Sequence, residues 1–419
     1  MRLFHKIVVL TVVALLVTVV GGTQIVRADG TEVLGPPSVP IASGTGVVAG
    51  GVGLESSQPA NIPLNVPPGV TIKQVLLYWS GGGNDSGNSG DDTVTVNGTA
   101  VTGTLIGGPT FFFNRSGDRY DFSTYRADIT NLGVVTPGAN SIAIAGMDFG
   151  ADENNGAGIL VIIDNGSTPA NIQLRDGLDL AFINFPEPRR STVAQTFTFD
   201  PAPVTRMATL PMFFGSVQRN GVEVMRPNAI DVTVGGVTTS YSDRLNSHDG
   251  AEWDTLILSI PIPPGATSLT VQAVSRDDFD TTRLPASFSW LASMFILPAQ
   301  QVASLGDYVW EDLNRNGLQD PGEPDIPNVP VTLLDCATPP NVLDTTTTNG
   351  GGFYLFDDLN PGCYEVQFGR PSGFVFTDRN VGLNDTIDSN ADPATGRSGQ
   401  VTLVAGEQNL TIDAGPASG

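Results

Sequence analysis

Short runs in which apolar and polar residues alternate are the feature that most constrains the fold of this 419-residue chain. DTVTVNG (92–98) and IDVTVGG (230–236) have this two-residue period, and clusters of Gly, Pro, Asn and Asp separate such runs. A two-residue period places one face of a strand on a core and the other in solvent. Because long runs with a helical period are missing, the pattern predicts an all-β protein.

Two longer segments of the sequence recur later in the chain, in the same order. VPPGVTIKQVLLYWSGG (66–82) resembles DPAPVTRMATLPMFFGS (200–216), and TPGANSIAIAGMDF (136–149) resembles PPGATSLTVQAVSRDDF (263–279). Turn chemistry and alternation that any two β-domains share would also produce some of this likeness. The repeated order nevertheless favours a duplication, with two domains built on one plan.

Each of these halves closes on an apolar run, GILVII (158–163) and SWLASMFIL (289–297). Such runs are typical of central strands, which are covered on both faces. Short strands with turn residues at regular intervals favour β-sandwiches of the jelly-roll or immunoglobulin type. We therefore expect one sandwich over residues 29–166 and a second over 167–300; a single large jelly roll is the alternative.

The first 28 residues have the pattern of a secretory signal peptide. Arg2 and Lys6 precede an apolar run from Ile7 to Val20, and Val26-Arg27-Ala28 places small residues at the −3 and −1 positions of a cleavage site. The apolar run is short for a membrane span of about 20 residues, although an uncleaved anchor is the alternative. We expect a secreted chain without a membrane span after cleavage.

The formal charge of −23, from 20 basic and 43 acidic residues, excludes some partners. An acidic surface disfavours nucleic acid and anionic membranes. The usual catalytic motifs are also missing: the only histidines are His5 and His248, and no GxSxG, HExxH or phosphate-binding loop occurs. Glycoside hydrolysis needs only two carboxylates and stays formally open. We expect a protein that is not an enzyme and whose carboxylates meet extracellular calcium.

DLNRNGLQDPGE (312–323) has the ligand spacing of a calcium-binding EF-hand loop, with Gly317 at the sharp turn. Oxygen ligands at alternate positions suit Ca²⁺, which takes six to eight of them. The predicted ligands are Asp312, Asn314, Asn316, the carbonyl of Leu318, Asp320 and Glu323. LGDYVW precedes the loop with a strand period, and four prolines between positions 321 and 330 stop a following helix. The loop is therefore expected between two strands.

GDYVWEDLNRNGLQDPGEPDIPNVPVTLLD (306–335), followed by TNGGGFYLFDDLNPGCYEV (348–366), resembles the B-repeat of the serine-aspartate repeat adhesins, the SdrD B-like domain. The resemblance covers residues 303–416, within a third domain expected over 301–419. It implies a small calcium-binding, prealbumin-like sandwich related to Cna-B modules. Such domains serve as stalks or spacers in bacterial surface proteins.

The acidic tract of that family falls on DTIDSNADPATG (385–396) in this sequence. Asp388, Asn390 and Asp392 again place oxygens at alternate residues, with Asp385 nearby. The tract is expected either to hold a second calcium ion or to complete the first site from across the fold. A solvated acidic loop is the alternative.

The chain has two cysteines, Cys336 and Cys363, and both lie in the C-terminal region. In a secreted protein two cysteines are expected to form a disulfide, and a pair of free buried thiols is the alternative. Closing a loop of this size would stabilise the fold by roughly 3.6 kcal/mol in the chain-entropy model.

These features together predict an extracellular bacterial cell-surface protein with a structural or adhesive role. The sandwich pair would present a surface to a glycan, a protein receptor or neighbouring surface-protein subunits, and the calcium-stiffened domain would act as a spacer. The alternative is a secreted carbohydrate-binding, lectin-like or matrix protein. For that alternative, the aromatic groups at 78–79, 111–113 and 213–214 would form a sugar-stacking platform, unless they pack in the core.

Overall fold

The predicted all-β class is confirmed by the computed structural model. Within its described residues it contains strands and one 3-10 helix, Thr130–Leu132, but no α-helix. No helix in this part of the chain is long and apolar enough to cross a membrane. The predicted signal peptide lies outside the described residues, which are 32–55, 57–83, 90–115, 117–149, 154–217 and 225–419.

The first sandwich consists of two antiparallel sheets. Its strands are β1 (Gly46–Gly53), β2 (Ala60–Val66), β3 (Thr71–Gly83), β4 (Thr93–Val96), β5 (Thr99–Thr102), β6 (Thr104–Arg115), β7 (Asp118–Asp128), β8 (Gly138–Ala145) and β9 (Asn154–Asp164). One sheet has the order β1-β9-β3-β7-β6 and the other β2-β8-β4-β5. The alternating side chains of both sheets meet in one apolar core that includes Leu77 and Trp79.

The second sandwich is built in the same way. Its strands are β10 (Asn171–Ala181), β11 (Gln195–Thr198), β12 (Arg206–Gly215), β13 (Ala229–Val234), β14 (Val237–Ser242), β15 (Trp253–Ile262), β16 (Ser268–Val274) and β17 (Phe288–Leu297). The sheet orders are β10-β17-β12-β15 and β11-β16-β13-β14. Pairing each strand with its counterpart gives the order of the first sandwich, except that β6 has no counterpart among the described residues.

The repeated sequence landmarks occupy equivalent strands. The first pair forms β3 and β12, the second β8 and β16, and the two closing apolar runs form β9 and β17. Both β9 and β17 lie between other strands of their sheets. All ten residues of β17 are buried, because strands in the middle of a covered sheet contact apolar layers on both faces.

The two sandwiches pack against each other through their larger sheets. Along β3, Leu77 and Trp79 point into the core of the first sandwich. The intervening Leu76 and Tyr78 join a separate apolar cluster with side chains of the second sandwich, among them Trp253. The strand KQVLLYW therefore lacks visible alternation because both of its faces are buried. The result is a stack of four sheets, with the larger ones inside.

Glycines on β1 and β9 make room for one tryptophan at this interface. A Cβ atom added at Gly51 would lie 2.2 Å from Nε1 of Trp253, and one at Gly158 would lie 2.8 Å from its Cζ2. A third glycine, Gly156, is equally close, with its added Cβ 2.9 Å from Cε3 of Trp253. No side chain fits at these distances, so Gly51, Gly156 and Gly158 are required by the packing of the two sheets.

A buried ion pair also joins the sandwiches. Nη1 of Arg126 on β7 lies 2.5 Å from Oδ2 of Asp176 on β10, and the two side chains are 1% and 4% exposed. The hydroxyl of Tyr78 donates to the same carboxylate oxygen at 3.0 Å. Burial raises the pKa of Asp176, whereas Arg126 acts to lower it. Sliding one sheet would leave a buried charge alone, so the pair disfavours other alignments.

The C-terminal domain has its own core between smaller sheets. Its strands are β18 (Ala303–Tyr308), β19 (Pro330–Asp335), β20 (Val342–Thr347), β21 (Phe353–Leu359), β22 (Gly362–Phe368), β23 (Phe374–Phe376), β24 (Arg397–Leu403), β25 (Gln408–Leu410) and β26 (Pro416–Ser418). The sheet orders are β21-β18-β25, β20-β19-β22-β24 and β23-β26. Leu305, Val331, Tyr354 and Phe368 are among the side chains that fill the space between them.

The predicted disulfide is confirmed. Cys336 and Cys363 are bonded, with their Cα atoms 5.8 Å apart. Cys336 directly follows β19, and Cys363 lies in the neighbouring strand β22, where Asp335 and Tyr364 are paired. The bond therefore continues the ladder of two adjacent strands at one end of the domain.

Candidate calcium-binding site

The loop 312–323 connects β18 to β19, as the sequence predicted for its flanks. Backbone hydrogen bonds hold both of its ends. The amide of Asp312 donates to the carbonyl of Pro416 at 3.0 Å, and the amide of Glu311 donates to the carbonyl of Pro324 at 2.7 Å. Because the second bond joins the residues on either side of the loop, the loop closes on itself without helices.

The first and sixth loop positions are fixed by the backbone. The carboxylate of Asp312, which is 1% exposed, accepts from the amide of Asn316 at 3.1 Å and from that of Gly317 at 2.7 Å. Gly317 has a φ of +75°, and a Cβ there would lie 2.4 Å from the carbonyl oxygen of Asp378. Glycine is thus required at the turn, while Asp312 orders the amides around it.

Three predicted ligands converge on one point. The side-chain amides of Asn314 and Asn316 each donate to Oδ2 of Asp320 at 2.8 Å. The Oδ1 atoms of Asn314 and Asn316 accept from the backbone amides of Asn316 and Leu318 at 3.0 and 2.8 Å. Each side-chain amide would therefore have to turn and give up that bond before its oxygen could face a cation at this point. The loop therefore brings these three side chains together as the spacing predicted.

Glu323 closes the loop from the opposite side. Its Oε1 accepts from the amide of Leu313 at 2.9 Å, and its Oε2 accepts from the amide of Asp320 at 2.9 Å. Both carboxylate oxygens are thus held against the backbone of the loop, and a glutamate at the twelfth position is the residue that binds Ca²⁺ through two oxygens in loops with this spacing.

The donor set of the loop fits calcium chemically. It consists of three carboxylates, two amide oxygens and a backbone carbonyl, all hard oxygen donors without sulfur or imidazole. Across the described ranges, no group of three or more His, Cys, Asp or Glu side chains forms a metal-binding cluster. The fit therefore depends on Asn314, Asn316 and the carbonyl of Leu318 as well as on the carboxylates, a mixture that suits Ca²⁺ and not Zn²⁺.

The acidic tract lies directly against the loop. Leu318 and Asp388 form an antiparallel bridge, the amide of Gln319 donates to the carbonyl of Ile387 at 2.7 Å, and the amide of Ser389 donates to the carbonyl of Gly317 at 2.9 Å. The fold thus brings Asp388 beside the loop, as a ligand that completes the first site would require.

The four predicted residues of the tract have different surroundings. Asp388 is 2% exposed, and Asn390 accepts from the amide of Asp413 at 2.7 Å through its Oδ1. Asp392 instead accepts from the amide and hydroxyl of Thr395 at 3.0 Å, while Asp385 is exposed. Asp388 and Asn390 therefore face the interior, whereas Asp392 caps its own turn.

Two further carboxylates near this tract were missed from the sequence. Asp413 is fully buried and accepts from the amide of Tyr308 at 3.0 Å; burial raises its pKa, and Asp307 and Asp388 add to that effect. Burial also raises the pKa of Asp307. Carboxylates this close are stable when one keeps its proton or a cation lies beside them. A signal existed: Asp307 shares the inward face of its strand with Leu305.

His248 lies between two carboxylates in the turn before β15. Its Nδ1 is 3.0 Å from Oδ1 of Asp254, and its Nε2 is 3.5 Å from Oδ1 of Asp249. The same Asp254 carboxylate accepts from the amides of Asn246 and Ser247. A hydrogen bond to Asp254 raises the pKa of the imidazole. The imidazole of His248 therefore stabilises this turn through its contact with Asp254.

The aromatic groups considered as a sugar platform are mostly interior. Tyr78, Trp79, Phe213 and Phe214 are fully buried. Trp79 stacks on Tyr125, with ring centroids 5.6 Å apart. Core packing, the alternative, accounts for these four side chains.

Comparison with known proteins agrees with the C-terminal motifs. The family model described as "SdrD B-like domain" matches residues 303–416. Serine-aspartate repeat-containing protein F of Staphylococcus epidermidis is 36% identical over 203 residues, which are 47% of this chain and 11% of that protein. Serine-aspartate repeat-containing protein E of Staphylococcus aureus (strain USA300) is 43% identical over 112 residues, 27% of this chain and 9% of that protein.

The chain thus spans only a small share of the length of these relatives. Among solved structures, BcpA, the major pilin subunit of Bacillus cereus, aligns over 81% of this chain and 99% of its own at 8% identity. The TM-score of 0.21 is too low to indicate a shared fold. The sequence motifs, the strand-flanked loop and the family match all concern the same segment. Residues 303–416 are therefore an SdrD B-like domain of the serine-aspartate repeat type.

Proposed function

We propose that this chain is a secreted bacterial cell-surface protein with a structural or adhesive role, not an enzyme. The sandwich pair presents the binding surface, and the SdrD B-like domain binds Ca²⁺ and acts as a stiff spacer. The observation that carries the proposal is the loop 312–323, whose oxygen-bearing side chains converge within a domain of this family. The acidic charge and the N-terminal signal pattern support an extracellular location.

Calcium would stiffen the domain because its ligands come from separate parts of the fold. The loop precedes β19, and Asp388 reaches it from a segment that follows β23. The loop is also tied to the last strand through the Asp312–Pro416 bond. An ion held by the loop and the tract would oppose separation of these segments. At a free calcium concentration of 100 times the dissociation constant, the stabilisation is about 2.7 kcal/mol.

Differential scanning calorimetry of the whole chain, with millimolar calcium and with chelator, tests this function. We expect calcium to raise the midpoint of the C-terminal domain transition and to leave the sandwich transition in place. Asp312→Ala and Glu323→Ala should each abolish the increase. Asp357→Ala, which removes an exposed carboxylate on β21, is the matched control and should retain it. Equal midpoints with calcium and chelator would contradict the spacer mechanism.

The partner of the sandwich pair is proposed only by class, as a surface glycan, a protein receptor or neighbouring surface subunits. The lectin-like alternative receives no support from the four aromatic side chains buried in the core. A glycan array probed with the whole chain separates the two: selective binding of one glycan class would favour the lectin-like protein.

A further inference from the structure

The two sandwiches differ at one edge of their larger sheets. In the first sandwich, β6 pairs with β7 along its outer side, from Thr104 opposite Arg126 to Arg115 opposite Asp118. In the second sandwich, the counterpart of β7 is β15, and the sheet order ends there. The second sandwich is thus one strand short of the first, and the described chain does not cover this edge.

The outer side of β15 is hydrogen-bonded to the preceding turn at its start and is open further along the strand. The amide of Trp253 donates to the carbonyl of Gly250 at 3.4 Å, and that of Thr255 donates to the carboxylate of Asp249 at 2.6 Å, so both point away from β12. Amides alternate in direction along an antiparallel strand. Those of Ile257 and Ser259 therefore also point outward, beyond the reach of the turn.

Apolar surface flanks this edge on both faces of the sheet. On one face, Ile257 and Met207 are 51% and 49% exposed. On the other, a groove of about 470 Å³ opens between β14 and β15. Its lining includes Val232, Val234, Val237, Tyr241, Ile260 and Pro263. Side chains that alternate along an added strand would cover both surfaces.

The first sandwich shows what occupies the same place. There the chain passes from β5 directly into β6 at Gly103, and a Cβ on this glycine would lie 2.2 Å from the Trp79 ring. The crossing segment covers the side of the sandwich, and β6 completes the sheet. The second sandwich has the same strands on either side of this position, but its side is open.

We propose that the outer edge of β15 binds an extended peptide strand with alternating apolar side chains, which completes the sheet as β6 does in the first sandwich. A second copy of the chain paired through its own β15 fits less well, because Leu258 and Ile260 of that strand are buried in their own core and could not fill the groove. The inference deepens the proposed function and rests on it only in assigning the sandwich pair a partner.

The test uses the whole chain and a labelled synthetic peptide, TSLTVQAVS, the sequence of residues 267–275, in which Leu, Val and Ala alternate with polar residues. We expect saturable binding by fluorescence anisotropy. Hydrogen exchange should slow in residues 253–262 when the peptide is present, because Ile257 and Ser259 gain acceptors. An absence of saturable binding, or binding without slower exchange in this segment, would overturn the proposal. Chelator should not affect the result, which keeps this test separate from that of the calcium spacer.

Ser259→Pro removes one outward amide at a position equivalent to the natural Pro261, whereas Ser259→Thr retains it and is the matched control. We expect roughly tenfold weaker binding for the proline variant and unchanged binding for threonine. If the proline variant melts earlier than the wild type, Ile257→Lys provides the same block through an edge charge. Equal binding by the blocked variant, or dimers in sedimentation that Ser259→Pro dissolves, would refute the peptide as occupant.

Discussion

The sandwich pair and the C-terminal domain reach a stable fold by different means. The sandwiches stack four broad sheets, and one apolar cluster is shared between them. The C-terminal domain divides a shorter chain among three small sheets and adds a disulfide and a loop of hydrogen-bonded polar side chains. Because a small domain buries a smaller fraction of its surface, it needs such staples more than a large one does.

The two regions also differ in how their buried carboxylates are neutralised. Between the sandwiches, Asp176 is paired with Arg126, so the interface carries its own counter-charge. In the C-terminal domain, the buried acid Asp312 accepts from backbone amides, and the buried Asp413 has the like-charged Asp388 and Asp307 near it. We therefore expect an added cation to stabilise the C-terminal domain, and changes in packing to alter the stability of the sandwich pair.

The largest expected effect comes from Trp253→Ala, which empties the glycine-lined space between the sandwiches. Loss of a large buried aromatic side chain typically costs about 3–5 kcal/mol. In calorimetry of the whole chain, the sandwich transition should move to lower temperature and the C-terminal transition should not. Val237→Ala, at an exposed apolar position, is the control. A shift of both transitions would show that the two regions are not independent.

Replacing both cysteines tests what stabilises the C-terminal domain. Cys336→Ser with Cys363→Ser should destabilise the C-terminal domain by about 3–4 kcal/mol, because the unfolded chain regains the freedom of the closed loop. The sandwich transition should stay where it is. Thr345→Ser, at an exposed position of β20 in the same sheet, controls for substitution alone. An unchanged midpoint of the C-terminal transition would show that the disulfide does not stabilise this domain.

Much of the fold was predictable because period and turn residues are local signals. The all-β class and the central position of GILVII and SWLASMFIL followed from them. The face-to-face packing of the sandwiches did not, because KQVLLYW carries side chains for two cores in alternation. The glycines at positions 51 and 158 look like turn or edge residues until Trp253 is placed against them.

The convergence of the side chains in the loop 312–323 was predictable for the same reason, since these polar residues are spaced within twelve positions. The neighbouring Asp307 and Asp413 were not predictable, because they are about a hundred residues apart in the sequence. Only the parallel pairing beside β18 brings them close in space. Spacing rules find ligands within one loop. They do not find carboxylates that separate strands bring together.

The last expected effect depends on pH and concerns Asp179 on β10, which tests how far the sandwiches depend on charge. Burial raises the pKa of this carboxyl to about 8, although the amide of Val193 donates to it. The unfolded carboxyl has a pKa of about 3.9, so the unfolded state loses its proton first as pH rises. Stability should therefore fall between about pH 4 and pH 8.

Asp179→Asn keeps an oxygen for the Val193 amide and cannot ionise. Urea unfolding should show equal stability of the variant and the wild type at pH 4, and a more stable variant at pH 8. Asp231→Asn is the control of opposite sign, because burial raises its pKa but hydrogen bonds from Arg276 and Ser240 lower it overall. Loss of the Asp231 carboxylate should destabilise the fold at neutral pH and should have a smaller effect on stability in acid. If Asp179→Asn is neutral at both pH values, the carboxyl is not held protonated, and the sandwiches tolerate a buried charge that they do not pair.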